Sequence, residues 1–181
     1  MRTFVAIEIN NKEILDNIAK FQKNINIDAK IIQPEQIHFT LQFIGEIDDV
    51  SKEKIVNAVN RIEFSKFEIT LQGIGAFPRT KFPRVIWIGV NDAGRELIST
   101  LASQVHTKLS ELGFKNDKPF KPHITVFRVK NKINDVTDEL MKFNSKIFGT
   151  QLVSQIKLKK STLTPSGPIY EDLAVVEATN E

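Results

Sequence analysis

The sequence predicts an α+β fold of two similar lobes with mainly antiparallel sheets, related by a pseudo-two-fold axis. Strand and helix patterns alternate along all 181 residues without a low-complexity segment or long linker. A four-residue pattern of histidine, any residue, threonine and an aliphatic residue (HxTx) also occurs twice, at residues 38–41 and 123–126. In each half a strand and a helix precede this motif and a helix follows it, which favours an internal duplication. We therefore expect residues 1–181 to form a single bilobal domain with the paired motifs in its central cleft.

The first half opens with a predicted strand and an amphipathic helix. Residues 2–9 are rich in β-forming side chains, as is typical of a strand. Asn10 is the expected helix cap, and apolar residues follow it at helical spacing. These apolar residues are Ile14, Ile18, Phe21 and Ile25.

The segment that carries the first motif, residues 37–45, alternates as a half-buried strand does. On one face lie His38, Thr40 and Gln42, and on the other lie Phe39, Leu41 and Phe43. Asp48 or Asp49 is expected to open the helix that follows.

The second half repeats this order of elements. Residues 66–90 predict a strand, a loop with glycine and proline, and a second strand. Asp92 is expected to begin a helix that Gly113 closes. Its apolar stripe consists of Leu97, Leu101, Val105, Leu109 and Leu112. The prediction continues with a short strand at 123–129, a helix near 136–147 and one strand at 150–163. A turn at Gly167 and Pro168 then leads to a final strand.

Composition narrows the classes of function. The chain has no cysteine, which excludes a disulfide framework, a thiol nucleophile and a thiolate metal site. No apolar run reaches the ~20 residues that span a bilayer, and the N-terminus turns polar too early for a signal peptide. We therefore expect a cytoplasmic protein without a membrane partner. The formal net charge of +3 permits an anionic partner without requiring one.

The chemistry of the two motifs follows from strand geometry. Residues i and i+2 of a strand point to the same face, ~7 Å apart, so His38 lies beside Thr40 and His123 beside Thr125. Two such strands facing each other would form a pocket with two imidazoles flanking two hydroxyls. Histidine can serve as acid or base near neutrality, and threonine hydroxyls can donate to phosphate oxygens. The pattern predicts in-line displacement at a phosphate ester without a metal ion.

Other interpretations of the histidines and aromatic residues were weighed. The motif histidines would be purely structural if both were half-buried and bonded locally, and zinc is disfavoured because there is no HExxH or dense ligand cluster. The third histidine, His106, lies beside a helical apolar stripe and is interpreted as a surface or boundary residue. Stacking on a base is conceivable for Phe43, Phe82, Trp87 and Tyr170. Packing is the preferred interpretation for each, so none is assigned to the site.

Five segments carry a resemblance to a known family. In chain order they are MRTFVAIEI, HFTLQFIGE, GAFPRTKFPRVIWIGV, FKPHITVFR and STLTPSGPIYEDL. Over effectively its whole length the chain resembles the two-histidine (2H) phosphoesterases, and specifically the RNA 2′,3′-cyclic phosphodiesterases, also known as 2′-5′ RNA ligases.

The resemblance implies a function and a role for each motif residue. The substrate would be an RNA with a 2′,3′-cyclic phosphate end, such as a tRNA fragment, opened to a 2′-phosphate by a monomer without a cofactor. His38 would donate a proton to the leaving 3′ oxygen and His123 would accept one from water. Sequence symmetry alone leaves these two roles interchangeable. Thr40 and Thr125 would hold the phosphate oxygens.

Arg128 is a further phosphate-binding candidate, because its position after the second motif resembles that of an arginine in the family. A guanidinium matches the geometry of phosphate and keeps its charge. Strict alternation, however, places Arg128 on the face of Ile124 and Val126. It therefore needs a strand end or a β-bulge to reach the pocket.

Three alternatives to simple hydrolysis remain open from the sequence. The same groups working in reverse would join a cyclic phosphate end to a 5′-hydroxyl as a 2′-5′ bond. A related 2H enzyme would act on small cyclic phosphates or 2′-5′ linked oligonucleotides. A non-catalytic module would bind RNA ends without turnover, although two intact titratable motifs argue against it.

Overall fold

The computed structural model describes residues 1–179, in which nine strands and four α-helices alternate. The strands are β1 (Arg2–Glu8), β2 (Lys30–Ile31), β3 (His38–Glu46), β4 (Phe67–Arg79), β5 (Phe82–Val90), β6 (Ile124–Arg128), β7 (Ile147–Val153), β8 (Gln155–Thr164) and β9 (Gly167–Glu177). The helices are α1 (Lys12–Asn24), α2 (Asp49–Val59), α3 (Asp92–Ser110) and α4 (Thr137–Met141), and a 3₁₀ turn covers Pro34–Gln36. Within residues 1–179, no helix has the length and apolar character needed to cross a membrane.

All nine strands belong to one sheet, in the order β7-β4-β5-β6-β3-β1-β8-β9, with β2 paired to β6. The pairings between these strands are antiparallel, so the predicted mixed α+β class with antiparallel pairing is confirmed. The two motif strands, β3 and β6, are neighbours at the centre and pair only at Phe39 and Ile124. Very little backbone therefore joins the two halves of the sheet beside the motifs.

The strands on the two sides of this central contact are arranged in the same way. On one side β3 is followed by β1, and on the other β6 is followed by β5. Along the chain, β1 and α1 precede the motif strand β3, and β5 and α3 precede the motif strand β6. A two-fold relation between the halves would produce this order, and the pseudo-two-fold axis itself stays a prediction.

The helices between these strands pack across the centre of the molecule. Helix α1 contacts β6 and β7, and α3 contacts β3 and β4. Gly149 lets α1 lie directly on β7, because a Cβ at this position would come within 2.7 Å of Cγ1 of Ile14. Each helix thus supports the motif strand of the other half.

The second and fourth residues of each HxTx motif lie in the core. Phe39, Leu41, Ile124 and Val126 are buried in it. Full burial of each such side chain contributes about 1.5–3 kcal/mol to folding. The motif strands are therefore fixed by apolar packing, while their polar side chains are free to serve a site.

The structure corrects two details of the predicted helices. The cap of α1 is Asn11, not Asn10, and its side chain accepts from the amide of Ile14. In α3 the residue at the start of the expected apolar stripe, Leu97, is 42% exposed, whereas the adjacent Ile98 is buried. The stripe that faces the core begins one residue later than the pattern indicated.

Three predicted segments also have different boundaries. The glycines expected in a loop within residues 66–90 lie inside β4, and the chain turns at Thr80 and Lys81. The helix expected near 136–147 ends at Met141, because Ile147 already belongs to β7. The single strand expected at 150–163 is divided between β7 and β8 at Ser154.

Candidate active site

The two motifs meet at a pocket of about 120 Å³ between β3 and β6. All five residues selected from the sequence line it: His38, Thr40, His123, Thr125 and Arg128. The wall is completed by Lys30, Ile32, Gln36, Pro168 and Tyr170. Residues more than eighty positions apart in the chain thus form one cavity, which carries the positive charges of Lys30 and Arg128.

Both imidazoles are held in the same way. Nδ1 of His38 donates to the carbonyl oxygen of Gln36 at 2.7 Å, and Nδ1 of His123 donates to that of Lys121 at 2.6 Å. A carbonyl oxygen can only accept, so the proton of each neutral ring is on Nδ1 and Nε2 carries the lone pair. The Thr40 hydroxyl, 3.0 Å from Nε2 of His38, can donate to that lone pair. Nε2 is thereby the nitrogen of each neutral ring that can accept a proton.

A β-bulge interrupts each motif strand at the last motif residue. Thr40 pairs with Ala6 and Gln42 with Val5, so Leu41 is the extra residue opposite β1. In β6, Thr125 pairs with Trp87 and Phe127 with Ile86, which leaves Val126 as the extra residue opposite β5. The aliphatic position of the HxTx pattern is therefore a buried bulge in both halves.

The first bulge makes the predicted strand alternation wrong beyond Thr40. Gln42, expected on the face of His38, is buried, and its Nε2 donates to the carbonyl oxygen of Phe114 at 3.1 Å. Phe43, expected on the buried face, is 52% exposed. One additional residue in a strand exchanges the two faces for every residue after it.

The second bulge brings Arg128 to the pocket. Without the additional residue at Val126, Arg128 would share the buried face of Ile124. With it, Arg128 lines the same cavity as His123 and Thr125. Of the two routes that the sequence left open for this arginine, a strand end or a β-bulge, the structure shows a bulge, and Arg128 is also the last residue of β6.

The carbonyl group of each bulge accepts a hydrogen bond from a helix of the other half. The Leu41 oxygen accepts from Nε2 of His106 in α3 at 2.9 Å. The Val126 oxygen accepts from Nε2 of Gln22 in α1 at 3.0 Å, and also from the amide of Ile32 at 3.0 Å. His106 thus lies at the boundary of the core, as expected, and fixes a motif strand from outside the pocket.

The electrostatics of the pocket favour neutral imidazoles in the free protein. Burial is the main cause that lowers the pKa of His38 to about 4, and the charges of Lys159 and Arg128 act in the same direction, against the Gln36 carbonyl and the Glu8 carboxylate. Burial likewise lowers the pKa of His123, with Arg128 acting in the same direction. A bound anion would oppose these effects, since it favours the protonated ring.

An ion-pair cluster supports the strand next to His38. Lys159 is buried and pairs with Glu8 and with Oδ1 of Asp172, the latter at 2.7 Å. Lys157 completes the cluster at 2.8 Å from Asp172 and 3.1 Å from Glu8. Glu8 is also the cross-strand partner of His38. These two lysines of the basic KLKKS segment are therefore neutralised within the fold.

Tyr170 and Lys30 line the pocket, although the sequence assigned neither of them to the site. The Tyr170 ring meets that of His38 edge-on, with centroids 5.5 Å apart. Burial raises the pKa of Tyr170, so its hydroxyl stays protonated and can donate. Tyr170 lies in the segment STLTPSGPIYEDL, whose resemblance to the family was the sequence signal that could have assigned it to the site. Lys30 enters from the two-residue strand β2, for which the sequence holds no comparable signal.

An antiparallel sheet that brings Nε2 of two motif histidines to one cationic pocket defines a phosphoesterase of the two-histidine class. The chain belongs to the family described as the AKAP7 2′5′ RNA ligase-like domain, whose model matches residues 2–177.

Full-length relatives agree with this assignment. The chain is 41% identical to the RNA 2′,3′-cyclic phosphodiesterase of Archaeoglobus fulgidus, over 98% of this chain and 100% of that one. It is 39% identical to the protein of the same name from Methanocaldococcus jannaschii, over 94% and 97%. Among solved structures, TT0787 of Thermus thermophilus superposes with a TM-score of 0.81 at 27% identity, over 98% of this chain and 97% of that one.

Proposed function

We propose that this protein hydrolyses the 2′,3′-cyclic phosphate at an RNA end to a 2′-phosphate. The observation that carries the proposal is the placement of His38 and His123 in one pocket, each with Nδ1 engaged and Nε2 available. The names of the relatives support RNA as the substrate. The whole chain would act as a single bilobal domain.

The pocket would bind the phosphate before any proton moves. Its volume of about 120 Å³ is suited to a phosphate group and not to a whole nucleotide. Arg128 supplies a fixed positive charge, and the hydroxyls of Thr40 and Thr125 can donate to the non-bridging oxygens. The same donors stabilise the negative charge that grows on these oxygens during displacement.

Two proton transfers then complete the reaction. Nε2 of His123 accepts a proton from water as the water oxygen forms its bond to phosphorus. The bond between phosphorus and the 3′ oxygen breaks, and Nε2–H of His38 protonates that oxygen. His38 must be protonated at the start, so the bound phosphate anion has to raise its pKa from about 4. A bell-shaped pH profile follows, because one ring must be neutral and the other charged.

The remaining expectations belong to the same proposal. The RNA would be a processing product such as a tRNA fragment, and the protein would act as a monomer in the cytoplasm. Neither a metal ion nor a cofactor takes part in the steps described above.

The test is turnover of a short RNA that ends in a 2′,3′-cyclic phosphate, assayed in EDTA, with the position of the product phosphate determined. We expect a 2′-phosphate. A 3′-phosphate would show that the proton donor addresses the other ribose oxygen, and tight binding without turnover would support the non-catalytic alternative. Loss of turnover in EDTA would contradict a mechanism that relies on the two histidines alone.

A further inference from the structure

Lys30 is a cation at the mouth of the phosphate pocket, and it has no carboxylate partner within residues 1–179. It lines the pocket with an exposed side chain, and the ion pairs of the described chain do not include it. Lys157 and Lys159, by contrast, are paired with Glu8 and Asp172. The Lys30 ammonium is therefore available to an anion from outside the chain.

The short strand β2 brings Lys30 to this place. Its two residues pair with β6, and Lys30 lies opposite Arg128. Residues that face each other across an antiparallel pair have their Cα atoms about 4.5–5.5 Å apart and their side chains on the same face of the sheet. Two cations on neighbouring strands thus border the pocket.

The Lys30 side chain ends on the side of the pocket where His38 lies. A Cβ at Gly167, the first residue of β9, would come within 3.8 Å of Nζ of Lys30 and 3.3 Å of Nε2 of Gln36. Nε2 of Gln36 donates to the carbonyl oxygen of Pro168 at 2.9 Å. The backbone oxygen of Gln36 accepts from the His38 ring. The ammonium group therefore lies beside the turn that orients the proposed proton donor.

The reacting phosphate does not require Lys30. A 2′,3′-cyclic phosphate is a diester with a single negative charge, which the fixed charge of Arg128 matches. Its non-bridging oxygens have donors in the Arg128 guanidinium and in the hydroxyls of Thr40 and Thr125, which line the pocket. The Lys30 ammonium remains for a second anionic group of the substrate.

In an RNA, the next anionic group is the phosphodiester attached to the 5′ oxygen of the terminal nucleotide. The leaving 3′ oxygen, which His38 protonates, belongs to the ribose of that nucleotide. The ribose and its 5′ phosphodiester therefore lie on the His38 side. The neighbouring cavity on that side contains Lys159 with three carboxylates, those of Glu8, Glu35 and Asp172. Since like charges repel, Lys30 offers the more favourable contact for this phosphodiester.

We propose that Lys30 binds the phosphodiester on the 5′ side of the terminal nucleotide and thereby makes the enzyme prefer an RNA end to a mononucleoside cyclic phosphate. The inference rests on the proposed function, because it uses the same pocket and the same proton donor. A mononucleoside 2′,3′-cyclic phosphate offers the reacting group but no second phosphate. One charge-assisted contact then separates two substrate classes that the sequence left open.

The test compares two substrates in variants that each remove one lysine charge. The substrates are a dinucleotide with a 2′,3′-cyclic phosphate end and the mononucleoside 2′,3′-cyclic phosphate of the same base. We expect Lys30→Gln to lower kcat/KM about tenfold for the dinucleotide, mainly through KM, and no more than about threefold for the mononucleoside. Lys20→Gln removes the same charge from an exposed site on α1 outside the pocket and should change neither value.

A neutral linkage identifies the phosphate that Lys30 contacts. In a second dinucleotide a methylphosphonate replaces the phosphodiester and removes its charge, while the cyclic phosphate end stays intact. We expect this change to lower kcat/KM about tenfold in the unaltered protein and to have little further effect in Lys30→Gln, because two changes that break one contact are not additive. The Lys20→Gln protein should respond to the methylphosphonate as the unaltered protein does.

Three outcomes would overturn the proposal and leave the proposed function intact. An equal loss for both substrates in Lys30→Gln would place the ammonium group on the reacting phosphate. Multiplying effects of the methylphosphonate and of Lys30→Gln would show that they act on different contacts. Unchanged kinetics in Lys30→Gln would show that the lysine binds neither phosphate. Absence of hydrolysis of both substrates by the unaltered protein would instead contradict the proposed function.

Binding of the product decides the assignment independently of turnover. A dinucleotide that ends in a 2′-phosphate is the proposed product and can be titrated calorimetrically. We expect its Kd to rise about tenfold in Lys30→Gln and to stay unchanged in Lys20→Gln. The same Kd in Lys30→Gln and in the unaltered protein, or no saturable binding at all, would overturn the proposal whether or not hydrolysis is observed.

Discussion

At the scale of single residues, His38 and His123 are each oriented by a hydrogen bond to a nearby carbonyl group of the backbone. In both cases Nδ1 donates to the carbonyl oxygen two residues earlier. For His38 that carbonyl belongs to the last residue of the 3₁₀ turn Pro34–Gln36. The contact fixes both the tautomer and the direction of the ring, so that Nε2 of each histidine is available for proton transfer.

Burial of His38 should make the stability of the protein depend on pH. Its pKa falls from 6.5 to about 4 on folding, so between these values the unfolded chain binds a proton that the folded chain does not. Stability therefore decreases as the pH falls through this window, by on the order of 2 kcal/mol near pH 4.5. Urea unfolding at pH 7.5 and at pH 4.5 measures this decrease. Between these two pH values, the free energy of unfolding should fall less in the His38→Gln variant than in the unaltered protein. An equal loss in both proteins would contradict the burial of this ring.

At the level of elements, the bulges decide which side chains reach the pocket. Each follows directly after a motif threonine, and each bulge carbonyl accepts from a helix side chain, His106 or Gln22. Buried carbonyls require such partners. The two helices therefore do more than cover the sheet, since each holds the irregular backbone of the opposite motif in place.

Replacing Gln22 by leucine should impair both folding and substrate binding. Gln22 donates to the carbonyl oxygens of Val126 and Ile32, both at 3.0 Å. In the variant the Val126 oxygen keeps only the Ile32 amide as its partner, and loss of the two Gln22 bonds costs about 1–3 kcal/mol. Because Arg128 follows the bulge, we expect kcat/KM for a cyclic phosphate end to fall about tenfold, mainly through KM. Chemical denaturation and steady-state kinetics measure the two effects.

The control for this variant lies on the same helix. Lys20 is exposed on α1, and Lys20→Leu should change stability by less than about 0.5 kcal/mol. If Gln22→Leu destabilised the protein without altering KM or kcat, Gln22 would support the fold alone and would not position Arg128.

The sequence predicted the motif strands but not their bulges. Alternation and burial follow from local pattern, and they placed His38 beside Thr40 correctly. Nothing local distinguishes Leu41 or Val126 from an ordinary strand residue. Their conformation depends on the partner strands and on two distant side chains. His106 lies 65 positions from Leu41, and Gln22 lies 104 positions from Val126. Only the position of Arg128 hinted that a bulge was needed.

At the scale of the whole molecule, one sheet brings the two motifs together. The repeated order of elements predicted two similar halves, but not that β3 and β6 would join them at a single residue pair. Such long-range pairing depends on the assembled fold and leaves no periodic signal in the sequence. Lys30 was missed for the same reason, since it enters the pocket from β2, whereas Tyr170 in β9 lay in a segment that resembles the family but was interpreted as a packing residue.

The most direct test of the account is the rate of cyclic phosphate hydrolysis in His38→Ala, His123→Ala and the double variant. Each ring should contribute one proton transfer, a step worth typically 10²–10⁴-fold in rate. Groups that act as a unit are not additive, so we expect each single variant to lose at least about 100-fold and the double variant to lose little more. Wild-type activity in either single variant would show that its histidine serves only the architecture of the strand, and would contradict the two-histidine mechanism.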